Sequence, residues 1–277
     1  MKINLFGTRD FGQNFDMSIA FVKQNYVAIL KNICFFIPLI LIGALIMPSP
    51  MEIQSRQQAI TSLSDIFNVY GIDSLIAYIC IGLASLASAT YTISYMAEYV
   101  KSETKEVNSS AVWSNFGKVI LPLFICQIVY IICVTIGTIL CIIPGIFIAI
   151  SCAFYSYTYI VEEETIIGSL KRSYELVKGN FWITFGFGLV IGIVVSIIGS
   201  LFSIPLMLSS IGQVLGIETF SSSMYVITTS IISYGGQLLI SPISYMALGV
   251  FYFNLRNQNE GIDMKENIDN LGSQNQY

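Results

Sequence analysis

The chain has 277 residues, of which 11% are charged and 55% hydrophobic, and its mean hydropathy is +0.72. Because soluble domains carry about 25% charged residues, this composition excludes an ordinary soluble protein and predicts a polytopic membrane protein. The net charge is −4 with scattered basic residues, so nucleic acid is not an expected partner. Histidine is absent, which removes the commonest general base and metal ligand.

The first predicted element is an amphipathic helix over residues 10–26, because Phe11, Phe15 and Ile19 recur at helical spacing. Asp10 and Gln13 form a candidate capping pair at its start. We expect this helix to lie on the membrane surface. The first twenty residues lack a continuous apolar core, so we expect no cleaved signal peptide.

Six apolar segments are long enough to approach or exceed the roughly 20 residues that a crossing requires. They lie at about 28–47, 75–96, 119–140, 146–161, 181–206 and 224–254. Further surface helices are predicted in the connection after span 1, ahead of span 3 from Ser109 or Ser110, and over 162–178. The sequence thus predicts one all-α six-span domain over 1–256, arranged as three hairpins that each follow a cytoplasmic interfacial helix, and a polar cytoplasmic tail over 257–277.

Helix-breaking residues occur at two places in these apolar segments. Pro144 and Gly145 divide an apolar run that is too long for one crossing, and we expect a turn there. Gly235, Gly236 and Pro242 are candidates to bend or unwind the last span. Broken helices surround the substrate in many carriers, but proline and glycine are also common in membrane helices, so both interpretations stay open.

The helix predicted over 162–178 has an expected apolar face formed by Ile166, Ile167, Leu170, Tyr174 and Val177. Lys171, Arg172 and Lys178 lie away from that face. They are candidate ligands for anionic lipid headgroups. The alternative is that they only fix the orientation of the chain.

An asparagine directly precedes an aromatic residue at three span starts. The predicted interface anchors are Asn25 with Tyr26, Trp113 with Asn115 and Phe116, and Asn180 with Phe181 and Trp182. Each junction is followed by two spans, which predicts a threefold repeat. The alternative is that asparagine and aromatic residues both favour interfaces and helix ends.

Basic residues predict the orientation. If six spans place both termini on one side, that side holds every lysine and arginine except Arg56. The positive-inside rule then places both termini in the cytoplasm, in the inner membrane.

Two stretches carry a resemblance to a known family. The stretch from Lys171 to Trp182 resembles the signature of six-span bacterial proteins related to the membrane domain of glycerophosphoryl diester phosphodiesterase, and Phe251 to Asp263 resembles how such chains end. The resemblance implies a fold without a catalytic domain. It does not imply phosphodiesterase activity.

Function is predicted by elimination. The six cysteines lie in apolar segments without CxxC spacing, so we expect small buried side chains and no metal or cofactor. Gln127 and Gln237 are expected to hydrogen-bond between helices, although substrate contact stays open. We predict a non-catalytic protein that organises membrane lipids or serves as a subunit for a partner. The alternative is a transporter or channel for a small or amphiphilic molecule.

Overall fold

The computed structural model describes residues 2–48, 50–58, 65–102, 104, 106–217, 220, 222–263 and 265. Across these ranges the regular elements are helices. They are α1 Phe11–Ile33, α2 Ile37–Ile46, α3 Pro50–Gln58, α4 Asp65–Lys101, α5 Ser109–Leu140, α6 Ile142–Ser151, α7 Tyr155–Val161, α8 Ile166–Val177, α9 Phe181–Val214 and α10 Ser223–Glu260. A 3-10 turn, Cys34–Phe36, joins α1 to α2.

Six segments are long and apolar enough to cross a membrane. They are Phe11–Ile46, Gly71–Lys101, Ser109–Leu140, Ile142–Val161, Phe181–Gly212 and Met224–Glu260. The predicted all-α, six-span architecture is therefore confirmed. At about 1.5 Å per residue, the 36 residues of the first segment would extend about 54 Å, well beyond a hydrocarbon core of about 30 Å.

Two of the predicted surface helices continue into their spans. Asn25 lies inside α1 and Asn115 lies inside α5. A continuous helix keeps every backbone group hydrogen-bonded near the membrane, so these junctions need no break. The capping pair is confirmed, since the Gln13 N–H donates to the Asp10 carboxylate at 2.8 Å and the Asp10 N–H donates to the Gln13 side chain at 3.1 Å. Asn108, rather than either predicted serine, caps α5.

The turn predicted at Pro144 and Gly145 is found at Cys141, three residues before Pro144. Cys141 is the extended residue between α5 and α6, and both predicted residues belong to the beginning of α6. A Cβ atom on Gly145 would lie 2.8 Å from the Thr138 Cα atom. Gly145 therefore allows α5 and α6 to pack closely next to a one-residue connection.

The last span is helical through all three of its candidate breaks, because α10 is continuous over Gly235, Gly236 and Pro242. A Cβ on Gly236 would lie 2.3 Å from the Phe202 ring, so this glycine permits close packing of α9 on α10. Pro242 cannot donate to the carbonyl four residues before it. The Ser241 hydroxyl donates to that carbonyl, on Leu238, at 2.8 Å and replaces the lost bond.

The chain divides into two compact units. Unit 1 contains Met1–Ile29, Ala89–Gly192 and Ile243–Tyr277, and unit 2 contains Leu30–Ser88 and Ile193–Pro242. Aromatic rings fill the core of unit 1, where Phe187 stacks on Phe251 at 4.4 Å between ring centroids. In unit 2 the Ser88 and Ser241 hydroxyls are hydrogen-bonded at 2.7 Å.

The cysteines are free thiols, but the expectation that they are buried is wrong for most of them. Cys126 is buried, whereas Cys34, Cys133 and Cys141 are exposed. A membrane protein can present small apolar side chains to lipid as readily as to its core, so hydrophobicity alone did not predict their burial.

Candidate functional site

The short helix α8, in unit 1, is separate from the span that follows it. The Thr165 hydroxyl caps its first turn by accepting from the Gly168 N–H at 3.1 Å. Gly179 ends it with a positive φ of 90°, a conformation that glycine adopts without strain. The Asn180 N–H then donates to the Val177 carbonyl at 2.9 Å, and the chain turns into α9.

The face of α8 that packs inward is formed by Ser169, Ser173, Leu176 and Val177. The Ser173 hydroxyl donates to the Ser151 carbonyl at 3.0 Å and accepts from the Phe154 N–H at 3.0 Å. It thereby satisfies backbone groups where α6 ends and α7 begins. The predicted apolar face is therefore confirmed only in part. Val177 packs inward as predicted, whereas Ile167 and Tyr174 are exposed and two serines take inward positions.

A cluster of opposite charges fixes α8 against α7 and α10. The Arg172 guanidinium donates to the Glu162 carboxylate at 2.8 Å and also to Glu260. Arg256 donates to Glu260 at 3.1 Å, and the Tyr252 hydroxyl donates to Glu162 at 2.5 Å. We call these five residues the charged cluster. Two arginines balance two glutamates, and the Glu162 side chain is only 9% exposed, so the cluster is a structural connection between three helices.

The outward face of α8 differs in chemistry. Ile167, Lys171, Tyr174 and Lys178 follow one another at spacings of four, three and four residues, and all four are exposed. We call them the α8 stripe. Ile167 is 76% and Tyr174 41% exposed, although both are hydrophobic or amphipathic. Of the three predicted headgroup ligands, the structure thus places Lys171 and Lys178 on this outward face, while the Arg172 guanidinium is bound to two carboxylates.

Aromatic residues follow α8 directly at the beginning of α9. Trp182 is 77% exposed. Phe181 contacts it edge-on at 5.4 Å and stacks on Phe147 of α6 at 5.1 Å. The predicted anchor formed by Asn180, Phe181 and Trp182 therefore presents a large amphipathic ring next to the α8 stripe.

The first predicted anchor has a different environment. Asn25 is buried, its amide donates to the Phe21 carbonyl at 3.0 Å, and its side-chain oxygen accepts from Tyr95 at 3.1 Å. Tyr26 beside it is half-buried. Asn25 therefore holds α1 to α4 inside unit 1.

The second predicted anchor is also packed on the protein. Trp113 lies 5.0 Å from the Tyr91 ring and 5.2 Å from the Phe116 ring. Asn115 is half-buried and lines a pocket described below. The three junctions that looked alike in sequence thus occupy three different environments.

The N-terminal segment packs on the end of α10. The Arg9 N–H donates to the Asn254 side chain at 2.9 Å, and Phe6 contacts Phe253 edge-on at 5.2 Å. The Arg256 guanidinium lies 5.9 Å from the Phe6 ring centroid. Burial lowers the pKa of the Arg9 guanidinium below its usual value. The C-terminal stretch that carried the family resemblance is therefore a packing surface in this chain.

Gln127 and Gln237 both make the predicted hydrogen bonds between helices. The Tyr155 hydroxyl of α7 donates to the Gln127 oxygen of α5. The Gln237 amide of α10 donates to the Ser203 hydroxyl of α9 at 3.4 Å, within unit 2. These hydrogen bonds confirm the prediction that the two residues connect helices.

The sequence did not predict the charged cluster. Arg256 and Glu260 are four residues apart, a spacing typical of an ion pair on a helix, and this was its only local signal. Glu162 was expected at the beginning of α8, but it follows the last residue of α7. Tyr252 lay in an apolar stretch, where its hydroxyl could not be paired with a distant carboxylate from sequence.

Comparison with known proteins gives one match. The family model described as Domain of unknown function (DUF7847) matches residues 38–255. No curated protein and no solved structure matches the chain. The match names neither a phosphodiesterase nor a bacterial source, so the resemblance to the phosphodiesterase membrane domain stays a prediction.

Proposed function

Since the chain belongs to the DUF7847 family, whose function is unknown, we propose from its geometry that this integral membrane protein is non-catalytic and organises anionic lipids. The single observation that carries the proposal is the α8 stripe. Its two lysines flank Tyr174 on the exposed face of a helix that the charged cluster fixes from behind.

The chemistry of the stripe fits the headgroup region of a bilayer. An exposed Ile167 is unfavourable in water but favourable at the boundary with acyl chains. Tyrosine and tryptophan favour that same depth, and Trp182 follows nearby. Each lysine near an anionic surface contributes about 1 kcal/mol of attraction.

The proposal includes an orientation and a membrane. The excess of basic residues on the side of α8 supports cytoplasmic termini in the inner membrane of a bacterium. Protease protection of an epitope tag placed after Tyr277, compared with a tag inserted beside Arg56, tests this orientation. Exposure of the Arg56 tag to the cytoplasm would contradict it. The resemblance to the phosphodiesterase membrane domain supports the proposal only at the level of fold.

The function is tested by extracting the protein in native nanodiscs and identifying the retained lipids by mass spectrometry. Wild type should retain phosphatidylglycerol above the level of an unrelated six-span protein. The double variant Lys171→Gln/Lys178→Gln should lose up to about thirtyfold in affinity for it, from about 1 kcal/mol per lysine. The control Lys23→Gln/Lys265→Gln removes the same charge from exposed positions elsewhere.

Two results would redirect the proposal. Equal retention by the double variant and its control would show that the stripe does not bind anionic lipid. Selective enrichment of one polypeptide instead of a lipid would support the role of a membrane subunit for that partner.

The alternative function is transport, and one feature of unit 2 favours it. A cavity of about 410 Å³ is lined by Gln57 of α3 together with Tyr78, Ser230 and Tyr234. Uncharged polar groups among aromatic rings suit a small amphiphilic molecule. Flux into proteoliposomes that is reduced by Tyr234→Ala, but not by the stripe variant, would favour transport over lipid organisation.

A further inference from the structure

A second polar site lies in unit 1 and shares no residue with the α8 stripe. It is a pocket of about 510 Å³ between the ends of α4 and α7 and the beginning of α5. This volume is within the range of about 300–1,000 Å³ that is usual for ligand sites. Its wall combines both signs of charge with apolar side chains.

The chain topology places this pocket at the level of lipid headgroups. Lys101 is the last residue of the second membrane segment, Val161 ends the fourth, and Lys118 lies in the third turn of the helix that forms the third. The ends of spans 2 and 4 and the beginning of span 3 lie on the same side of a membrane. Val119 and Ile160 contribute apolar lining where the spans begin.

The two lysines of the pocket differ in their partners. The Lys101 ammonium lies 3.9 Å from both Glu98 and Glu163, so it is balanced by two carboxylates. Lys118 is exposed and, among the described residues, has no carboxylate within 4.0 Å. Lys118 can therefore bind an anionic group, next to the Asn115 side chain.

The wall of the pocket also contains carboxylates. Glu163 and Glu164 both line the pocket, and the Glu163 side chain is 81% exposed. Glu163 has a φ of 57°, in the left-handed region that is unfavourable for residues with a Cβ atom. The conformation directs the chain from α7 towards α8. The exposed Glu163 carboxylate shares the Lys101 ammonium with Glu98 and can therefore accept a second cation.

We propose that this pocket binds the headgroup of a zwitterionic aminophospholipid, with the phosphate on Lys118 and the primary ammonium on Glu163 and Glu164. The acyl chains would leave along Val119 and Ile160. This deepens the proposed lipid-organising function by adding a second lipid class at a separate site.

The charge pattern distinguishes this headgroup from others. A phosphatidylglycerol headgroup would bring no cation to the carboxylates. A quaternary choline would bring charge without N–H donors, whereas a primary ammonium can donate three hydrogen bonds to carboxylate oxygens. We therefore expect phosphatidylethanolamine to bind more tightly than phosphatidylcholine.

The experiment measures lipids bound to the purified full-length protein by native mass spectrometry, with phosphatidylethanolamine, phosphatidylcholine and phosphatidylglycerol supplied in turn. Glu163→Gly removes the carboxylate and also relieves the left-handed strain, so this variant should fold at least as well as wild type. It should weaken phosphatidylethanolamine binding about fivefold, as expected for one charge at the headgroup level. Lys118→Gln should have a similar effect, and Lys23→Gln should have none.

Several results would overturn the inference. They are equal binding of phosphatidylethanolamine and phosphatidylcholine, unchanged phosphatidylethanolamine binding in Glu163→Gly, and displacement of the lipid by an equal concentration of soluble phosphoethanolamine. The last result would assign the pocket to a soluble ester instead of a lipid.

The proposals for the two lipid sites can be rejected independently of each other. If only the stripe variant Lys171→Gln/Lys178→Gln loses phosphatidylglycerol, the proposed function stands and the pocket is not a lipid site. If only the pocket variants lose phosphatidylethanolamine, the pocket is a lipid site and the stripe is not.

Discussion

The Tyr252 hydroxyl donates a 2.5 Å hydrogen bond to the Glu162 carboxylate and thereby joins α10 to the residue that follows α7. The Tyr252 ring is fully buried and stacks on Tyr157 at 5.3 Å. Because Glu162 also accepts from Arg172, one carboxylate fixes the position of both α8 and the last span. The position of the α8 stripe therefore depends on contacts made on the opposite side of its helix.

Replacing Tyr252 with phenylalanine removes only the hydroxyl. A hydrogen bond to a charged acceptor contributes about 1.5–3 kcal/mol, so Tyr252→Phe should lower the free energy of unfolding by about this amount. The measurement is the thermal unfolding midpoint in detergent by far-UV circular dichroism. Tyr174→Phe, on the exposed face of α8, is the matched control and should leave the midpoint unchanged. Equal midpoints for the two variants would contradict the role of this hydrogen bond.

Arg172 and Lys171 are neighbours in sequence but should behave differently. Arg172→Gln leaves only Arg256, among the described residues, to pair with both Glu162 and Glu260, at 4.0 Å and 3.1 Å. The loss of Arg172 should destabilise the protein by about 2 kcal/mol, less than for a fully buried pair because the arginine is 22% exposed. Lys171→Gln should change stability by less than about 0.5 kcal/mol, as is usual on a surface. When only folded samples are compared, Lys171→Gln should lose more anionic lipid than Arg172→Gln. If Arg172→Gln unfolds with the same free energy as wild type, the charged cluster does not fix the position of α8.

The hairpin between α5 and α6 depends on the absence of a side chain at Gly145. A Cβ atom there would lie 2.1 Å from the Thr138 hydroxyl and 2.8 Å from its Cα atom, so the backbone must move. Gly145→Ala should cost about 1–3 kcal/mol, the usual range for overpacking. Gly188→Ala is the control, because nothing lies within 4 Å of its added Cβ, and it should be neutral. The same unfolding measurement compares them, and similar midpoints would contradict close packing of this hairpin.

Local chemistry explains which features were predictable. The capping pair of Asp10 and Gln13, the end of α8 near residue 178 and the six apolar segments each depend on residues close in sequence, and all were predicted correctly. The turn at Cys141 was not, because proline and glycine act equally well as breakers and as packing residues. The middle of the last span likewise contains Pro242 without a break, since Ser241 supplies the missing donor.

The site was predictable only in part. Lys171 and Lys178 were predicted as candidate headgroup ligands because charge at a span boundary is visible in the sequence. The different environment of Arg172 was not predictable, because it depends on Glu260, which lies 88 residues from Arg172 in the sequence. Similarly, the pocket near Lys118 combines three helices whose residues show no shared motif.

In unit 2 the backbone at Gly71 should matter more to stability than the ion pair that surrounds it. Gly71 has φ 51° and ψ 167° within α4, and a Cβ atom would lie 2.2 Å from the Asp73 carboxylate and 2.8 Å from the Arg56 guanidinium. Gly71→Ala should therefore destabilise the protein by about 1–3 kcal/mol through backbone strain alone. Arg56→Gln removes the two hydrogen bonds, of 2.7 Å and 3.1 Å, between the Arg56 guanidinium and the Asp73 carboxylate. Because both side chains are about one-third exposed, this variant should lose less stability than Gly71→Ala.

In the double variant the steric conflict between the added Cβ atom and Arg56 is relieved, so the combined loss of stability should be less than the sum of the two single losses. Urea or thermal unfolding of the four proteins measures this difference, and additive losses would show that the strain at Gly71 is independent of the ion pair.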